Sequence, residues 1–260
     1  MDELKEQLEE LNELAAHFYD WVETNRFRIT RRRLLVLEIM LFVDANINAA
    51  AKLLIEEPCY LDGAQMILRS VYDIGVSGDW ILSSKDNKRL WRWLRDDRKT
   101  LYQQTDGLVG LFTANPKLVT KEAPLDYWKD ALKSVRKELT RGNKNAGTTD
   151  NDGTISTFQK ARSQGDNSQR TYHTVFWLFS NSTHASATGL AGLAHVGSRG
   201  LLELRRRGAT PTSTDERDAL NLMKTGLTWY AAHIHQTVKY LGAPQAADAK
   251  RLLDRHLGRN

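Results

Sequence analysis

The sequence has a single cysteine, Cys59, among its 260 residues. An intramolecular disulfide needs two thiols, and a cysteine-based zinc site needs several, so both are excluded. The disulfide-rich class of secreted scaffolds is excluded for the same reason. So little cysteine is typical of a protein that stays in a reducing compartment.

Long apolar runs are also missing. The most apolar stretch, residues 34–43, covers about half the roughly 20 residues that a membrane-crossing helix needs, and it contains Glu38. The chain begins Met-Asp-Glu-Leu-Lys, which is acidic and amphipathic, unlike a signal peptide. We therefore expect a cytoplasmic protein with no membrane segment.

Motifs for cofactors and metals are absent as well. The sequence contains neither a P-loop nor the GxGxxG pattern of dinucleotide-binding proteins. His233 and His235 are two positions apart and would point about 200° apart on a helix, which makes them poor joint ligands. His173, His184 and His195 recur every eleven positions, but the glycines after residue 188 interrupt any shared face. The sequence therefore predicts no metal and no cofactor.

The net charge is small, because 37 basic residues against 32 acidic ones give +5. Three basic clusters would form a nucleic-acid footprint if they converged in space. Ordinary charge on helix surfaces is the alternative, and a true electrostatic binder usually has a larger excess. The clusters are Arg26 to Arg33, Arg89 to Lys99, and Arg205 to Arg207.

Apolar residues recur at three- and four-residue steps along most of the chain, which predicts α-helices. No alternation is long enough for a sheet. We therefore predict an all-α bundle of roughly eight helices, forming a single domain over residues 1–260. The predicted helices cover 3–24, 30–57, 60–83, 86–104, 122–140, a short segment from 156, 168–186, 213–241 and 245–257.

Several segments have specific expectations. The first helix, within residues 1–25, has an apolar stripe wide enough to pack on its own domain or on another protomer. Residues 105–121 are predicted to be irregular, and residues 142–153 to form a flexible loop because they offer almost nothing to bury. Residues 187–212 are predicted to form a glycine-rich loop, with a short strand or helical turn at 201–204. Capping boxes are expected at residues 156–159 and 213–216, and Gly75 and Gly78 allow a close helix crossing.

The predicted helix over 168–186 has a polar face. Its members lie at offsets that place them on one side of a helix, opposite Val175. Because an unpaired buried polar group costs about 1–3 kcal/mol, such a face turned inward needs partners. Two interpretations stay open, a hydrogen-bonded core network and a functional pocket. The face consists of His173, Trp177, Ser180 and His184, with Thr183 beside it.

Arg69 and Asp73 are four positions apart on the predicted third helix, which favours an ion pair. Their neighbours are apolar, so we expect the pair to be partly buried. A buried pair needs further hydrogen bonds. Ser180 or His184 would supply them.

The combination of Arg-x-x-x-Asp on an early helix with Ser-x-x-x-His-x-Ser on a late helix resembles a bacterial all-helical family, catalogued as domain of unknown function 5677. That family usually has Glu at the position of Asp73 and Tyr near Phe176. The resemblance implies an all-helical fold and a site joining Arg69, Asp73 and His184. The family is similar in general character to helical RNase and nucleotide-binding domains of bacterial toxin–antitoxin and phage-defence systems. The matching residues are Arg69, Asp73, Ser180, His184 and Ser186.

Three functions stay open. In the first, a pocket framed by Arg69, Asp73, Ser180 and His184 binds an anionic ligand or a macromolecular partner in a defence or toxin module. In the second, the protein is a metal-independent ribonuclease in which His184 is the general acid–base and Arg69 stabilises the phosphate. In the third, the polar network is a structural scaffold. Homodimer formation is compatible with all three.

Overall fold

The computed structural model describes residues 1–25, 29–56, 61–183, 194–196, 202–204 and 211–259, with side chains for all but 176–183 and the two short strands. These residues form nine α-helices and one antiparallel pair of three-residue strands, so the predicted all-α class is confirmed. The helices are α1 (Asp2–Thr24), α2 (Arg31–Glu56), α3 (Leu61–Leu82), α4 (Lys88–Ala114), α5 (Leu125–Ala146), α6 (Thr157–Arg162), α7 (Asp166–Thr183), α8 (Ser213–Leu241) and α9 (Ala246–His256). A 3-10 turn covers Pro116–Leu118, and the strands are β1 (Ala194–Val196) and β2 (Leu202–Leu204).

By their contacts, the helices group into two compact units. The single domain over 1–260 stays a prediction. Unit 1 consists of Met1–Gly75 and Arg170–Asn260, and unit 2 consists of Val76–Gln169. The two strands pair within the segment that was predicted as a glycine-rich loop, with His195 opposite Glu203. The rest of that loop lies outside the described residues.

Unit 1 is built around the pair of helices α2 and α8. A Cβ atom at Gly226 of α8 would lie 3.1 Å from Leu68 of α3 and 3.5 Å from Ile47 of α2, so the glycine permits a close three-helix approach. Burying aliphatic side chains at such crossings is the main stabilising contribution to the core. Fully buried members of this core are Leu11, Phe18, Met40, Ile47, Leu54, Leu68, Leu227, Tyr230 and Ile234.

Helix α1 packs within its own chain. Its apolar stripe, which includes Leu11 and Phe18, is buried, and the helix contacts α8 and α9. Asn12 and Asn48 exchange side-chain hydrogen bonds of 2.9 and 3.1 Å between α1 and α2. Of the two predicted positions for this helix, packing on its own domain is the one observed.

Helix α2 is long and apolar enough to cross a membrane by length and composition alone. A core helix of a soluble protein passes the same test. Within unit 1, one side of α2 is buried against neighbouring helices. The residues of this side are Leu35, Val36, Ile39, Met40, Val43, Ile47, Ala50, Ala51 and Leu54.

Helix α4 of unit 2 extends ten residues past its predicted end. The prediction that residues 105–121 are irregular is therefore wrong for residues 105–114. The extension includes Gly107 and Gly110, although glycine in a helix costs roughly 1 kcal/mol relative to alanine. The tertiary contact of Phe112 on α4 with Trp128 on α5, at 5.6 Å between ring centroids, favours the longer helix.

Residues 142–153 differ from the predicted flexible loop. Residues 142–146 belong to α5, which ends at Gly147 with a left-handed φ of 68°. The following segment wraps around Arg95, a fully buried residue of α4. The guanidinium donates to Asn143 Oδ1 at 2.8 Å and to the carbonyl oxygen of Asp152 at 2.8 Å. The sequence prediction missed this arrangement because the loop has nothing apolar to bury and is held by a buried cation instead.

The two predicted capping boxes have different outcomes. The box of Ser156 and Gln159 is present at the start of α6, as predicted. The box at the start of α8 is formed by Thr212 and Asp215, one residue before the predicted pair, so that prediction is wrong by one position. The predicted pair, Ser213 with Glu216, and the observed pair, Thr212 with Asp215, both have a hydroxyl three residues before an acid. In the observed box, the backbone N–H of Thr212 donates to Asp215 at 2.9 Å.

Candidate functional site

Arg69 and Asp73 on α3 form the predicted ion pair. Arg69 Nε donates to Asp73 Oδ2 at 3.0 Å. The side chains are 11% and 37% exposed, respectively, so the expected partial burial is confirmed. A fully exposed i,i+4 pair contributes about 0.3–0.5 kcal/mol, whereas removing one partner of a buried pair costs more because the other charge is left desolvated.

Arg69 contacts one of three neighbouring aromatic rings, which come from α7, α3 and α8. The guanidinium of Arg69 lies 5.5 Å from the centroid of the Tyr172 ring on α7, within cation–π range. Tyr72 on α3 lies 6.5 Å from Tyr172 and 5.3 Å from Trp229 on α8, measured between ring centroids. We call these five residues, Arg69, Tyr72, Asp73, Tyr172 and Trp229, the Arg69 cluster.

The three aromatic members of the cluster were not among the predicted site residues. Tyr72 lies between Arg69 and Asp73 in sequence, but it belongs to a different side of α3 and is buried. Tyr172 and Trp229 are half-buried. A signal was present in the sequence, since aromatic residues with a polar end often occupy the edge of a site. Their convergence depends on how three helices cross, which no single spacing predicts.

His173 does not point inward. The residue is exposed, and its ring lies at an edge-on angle of 75° to the ring of Tyr172, 5.9 Å away. Val175, about 200° around the helix from His173, is buried instead. His173 is therefore not part of an inward polar face, because at these two positions the helix exposes the polar side chain and buries the apolar one.

The other predicted members of the polar face are only partly covered by the structure. Ser180 and Thr183 lie in α7, but their side chains are outside the described residues. His184 and Ser186 lie wholly outside them. A site that joins Arg69 to Ser180 and His184 stays a prediction. In the part of the chain that is described, no group of three or more His, Cys, Asp or Glu side chains is placed to hold a metal ion.

His233 contacts Gly75, one helical turn from the Arg69 cluster. A Cβ atom at Gly75 would lie 2.5 Å from His233 Nε2, so the imidazole occupies the space that glycine leaves open. The predicted close helix crossing at Gly75 is confirmed. Burial lowers the pKa of His233 to about 4, because removing the ring from water disfavours its charged form.

A second polar network joins α1, α2 and α8 inside unit 1. The hydroxyls of Tyr19 and Tyr230 donate to the carboxylate of Asp44 at 3.2 and 2.6 Å, and Asn48 donates to it at 3.0 Å. Burial and the neighbouring carboxylate raise the pKa of both tyrosines well above the usual range. Three donors satisfy one carboxylate, so this network holds the helices together and was not predicted from the sequence.

The basic side chains of the Arg89 to Lys99 cluster on α4 make contacts within unit 2. Arg95 is buried, and Arg92 pairs with Asp96 at 3.2 Å. Arg98 pairs with Glu138 at 2.6 Å, and Lys99 donates to backbone carbonyl oxygens of the 148–155 segment. These contacts favour a structural role for this cluster over an RNA footprint. Arg26, Arg28 and the cluster at residues 205–207 lie outside the described residues.

Ser77 and Lys160 form a serine–lysine contact in unit 2. Lys160 Nζ donates to Ser77 Oγ at 3.1 Å and lies 5.9 Å from the centroid of the Trp80 ring. A lysine beside a serine can activate the hydroxyl as a nucleophile. Both residues are buried, however, so substrate access is blocked and the contact serves to satisfy a buried ammonium group.

Comparisons with known proteins found no relative of this chain. No protein-family model matches the chain, and neither a curated protein nor a solved structure matches it. The resemblance described from the sequence motifs therefore stays a prediction.

Proposed function

We propose that unit 1 binds an anionic ligand at the Arg69 cluster, and that the ligand carries a planar ring, as a nucleotide unit of RNA does. The observation that carries the proposal is the placement of the Arg69 guanidinium against the half-buried ring of Tyr172. Tyr72 connects this ring to the half-buried ring of Trp229. Arginine recognises the phosphate and aromatic rings stack on the base in many single-strand binding sites.

Arg69 suits a phosphate because its guanidinium is planar, permanently charged and rich in donors. An arginine side chain has five N–H donors in a fixed planar arrangement, and the Nε of Arg69 donates to Asp73. Asp73 and Tyr172 fix the orientation of the group, and a pre-organised side chain loses less entropy on binding. Two N–H groups of one guanidinium can bind a phosphate side by side.

Asp73 has a distinct role in this proposal. Its carboxylate neutralises Arg69 when the site is empty, and it competes with an incoming anion for the guanidinium. Removing the negative charge of Asp73 should therefore strengthen anion binding, whereas removing the positive charge of Arg69 should weaken it. Opposite effects from the two partners of one ion pair distinguish a binding site from a purely structural pair.

The ribonuclease alternative depends on His184, and no described contact favours it over binding alone. Assignment to a bacterial defence or toxin module likewise rests on the sequence resemblance. Both are tested by the same RNA experiment, because cleavage shortens the probe and binding does not.

The test uses the full chain and a fluorescent single-stranded RNA, with binding followed by anisotropy and RNA length by gel. Arg69→Gln should weaken binding about tenfold or more, given the typical contribution of a hydrogen bond to a charged group. Asp73→Asn should strengthen it, and Tyr172→Leu should weaken it. Arg217→Gln, which removes a charge from an exposed position on α8, is the matched control and should change little.

Several outcomes would contradict the proposal. One is the absence of RNA binding by the wild-type protein, with no competition by nucleoside monophosphates either. Another is an equal loss in Arg69→Gln and Arg217→Gln, which would indicate diffuse charge attraction. If Arg69→Gln and Asp73→Asn both lower the melting temperature strongly and leave RNA binding unchanged, the ion pair is structural. Wild-type cleavage that His184→Gln abolishes would favour the ribonuclease.

A further inference from the structure

One face of α2 is open to solvent along the full length of the helix. Its large apolar members, Leu34, Leu41 and Phe42, are 46%, 54% and 41% exposed. At 100° per residue, every exposed residue of α2 falls within a sector about 100° wide, opposite the buried side. We call this the α2 face. Its residues are Arg31, Leu34, Glu38, Leu41, Phe42, Ala45, Ala49, Lys52 and Glu56.

The α2 face is arranged symmetrically about Ala45. Glu38 lies seven positions before Ala45, and Lys52 lies seven positions after it. Between these charges, the exposed positions are all apolar. Large side chains, Leu41 and Phe42, precede Ala45, and a small one, Ala49, follows it.

We propose that the α2 face binds the α2 face of a second copy of this chain, with the two helices antiparallel and a two-fold axis beside Ala45. In that arrangement Glu38 of each copy lies beside Lys52 of the other. Within one copy, Glu38 and Lys52 are about 21 Å apart along the helix, so the two contacts lie at opposite ends of the paired region. Leu41 of one copy then packs over Ala49 of the other. Alanine at the axis allows the two backbones to approach closely.

The charges select this arrangement over others. In a parallel pair, Glu38 would face Glu38 and Lys52 would face Lys52, which is repulsive in both places. A face that pairs with itself about a two-fold axis is the commonest design of homo-oligomers, and an apolar centre with a charged rim is typical of interfaces. A membrane surface would favour basic residues at both borders of the apolar centre, whereas here Glu38 forms one border and Lys52 the other, and the basic Arg31 lies seven positions beyond Glu38.

One helix pair is smaller than a standard interface of about 800 Å² per partner, so we expect a weak dimer that dissociates on dilution. Sedimentation velocity of the full chain over about a hundredfold concentration range should show a monomer–dimer equilibrium. Glu38→Lys and Lys52→Glu should each raise the dissociation constant, by about three- to tenfold. The double variant Glu38→Lys/Lys52→Glu restores both contacts and should return it to near the wild-type value.

The variants lie on the exposed side of the helix, so they should fold, and melting temperature checks this. Ala45→Arg should abolish the dimer, while Arg217→Gln on α8 should not affect it. A wild-type protein that stays monomeric at the highest concentration would overturn the proposal. So would a dimer that the single charge reversals leave unchanged, or binding to phosphatidylserine vesicles that Ala45→Arg abolishes without any self-association.

Discussion

The hydroxyl of Tyr230 donates a 2.6 Å hydrogen bond to Asp44 Oδ1, which links α8 to α2 across 186 positions of the chain. The acceptor is a carboxylate, and hydrogen bonds to charged groups contribute more to stability than neutral ones. Tyr19 donates to the other carboxylate oxygen. Asp44 therefore joins α1, α2 and α8, and so connects the two sequence segments of unit 1.

Replacing Tyr230 by Phe should lower the free energy of unfolding by roughly 1.5–3 kcal/mol, because the half-buried carboxylate of Asp44 loses its shortest hydrogen bond. Urea denaturation monitored by circular dichroism measures the change. Tyr240→Phe, at an exposed position on the same helix, is the control and should have almost no effect. Equal stability of the two variants would show that the Asp44 network is not stabilising.

Replacing Gly75 by Ala should destabilise the protein by about 1–3 kcal/mol, because the new Cβ atom would lie 2.5 Å from His233 Nε2. Thermal melting provides the measurement. Adding His233→Ala should recover most of the loss, since the clashing ring is then absent. Gly110→Ala, which meets nothing within 4 Å, should instead be slightly stabilising, as alanine favours helix. A neutral Gly75→Ala would contradict the tight crossing.

Lowering the pH should decrease the free energy of unfolding through protonation of His233. The pKa of this residue is about 4 in the folded protein and near 6.5 in an unfolded chain, so between these pH values the unfolded state binds the proton first. The free energy of unfolding should therefore fall as pH decreases from 6.5 to 4, by at most about 1.4 kcal/mol per pH unit from this group. His233→Asn should have a shallower slope than wild type in denaturation at several pH values. Gln236→Ala, at an exposed position on the same helix, removes no titrating group and should keep the wild-type slope.

Replacing Arg95 by Leu should destabilise unit 2 by about 3–5 kcal/mol, because Asp96 and the carbonyl oxygens of the 148–155 segment lose their buried partner. Hydrogen exchange should show faster exchange of the amides in that segment, including Ile155, which donates to Asp96. Arg98→Leu removes a more exposed cation from the same helix and should cost under about 1 kcal/mol. Unchanged exchange in Arg95→Leu would rule out the proposed role of this side chain.

Sequence periodicity predicted the helices well where each one buries an apolar stripe. The ends of α1, α2 and α8 follow the predictions within a residue or two, since the stripe, the caps and Gly242 all act locally. The end of α4 was missed because a distant contact, Phe112 with Trp128, decides it. Local patterns contain no information about such a contact.

In the candidate site, too, the features set by local sequence were predictable and those set by tertiary contacts were not. The Arg69–Asp73 pair was predictable, because both residues lie on one helix at a fixed spacing. Tyr172 contacts Arg69, and Trp229 contacts Tyr72, only because three helices cross at this point. The orientation of His173 was also unpredictable from spacing, since a helical wheel shows which residues share a face and not which face turns inward.

The division of unit 1 into Met1–Gly75 and Arg170–Asn260 has a consequence for the order of folding. Unit 2 is continuous in sequence, so a growing chain contains all of it before α8 has been synthesised. The contact of Asp44 with Tyr230 has to wait for nearly the whole chain, and contacts so distant in sequence form slowly. The apolar sides of α1 and α2 are made first and buried last, which leaves them exposed to chaperones or to other nascent chains in the interval.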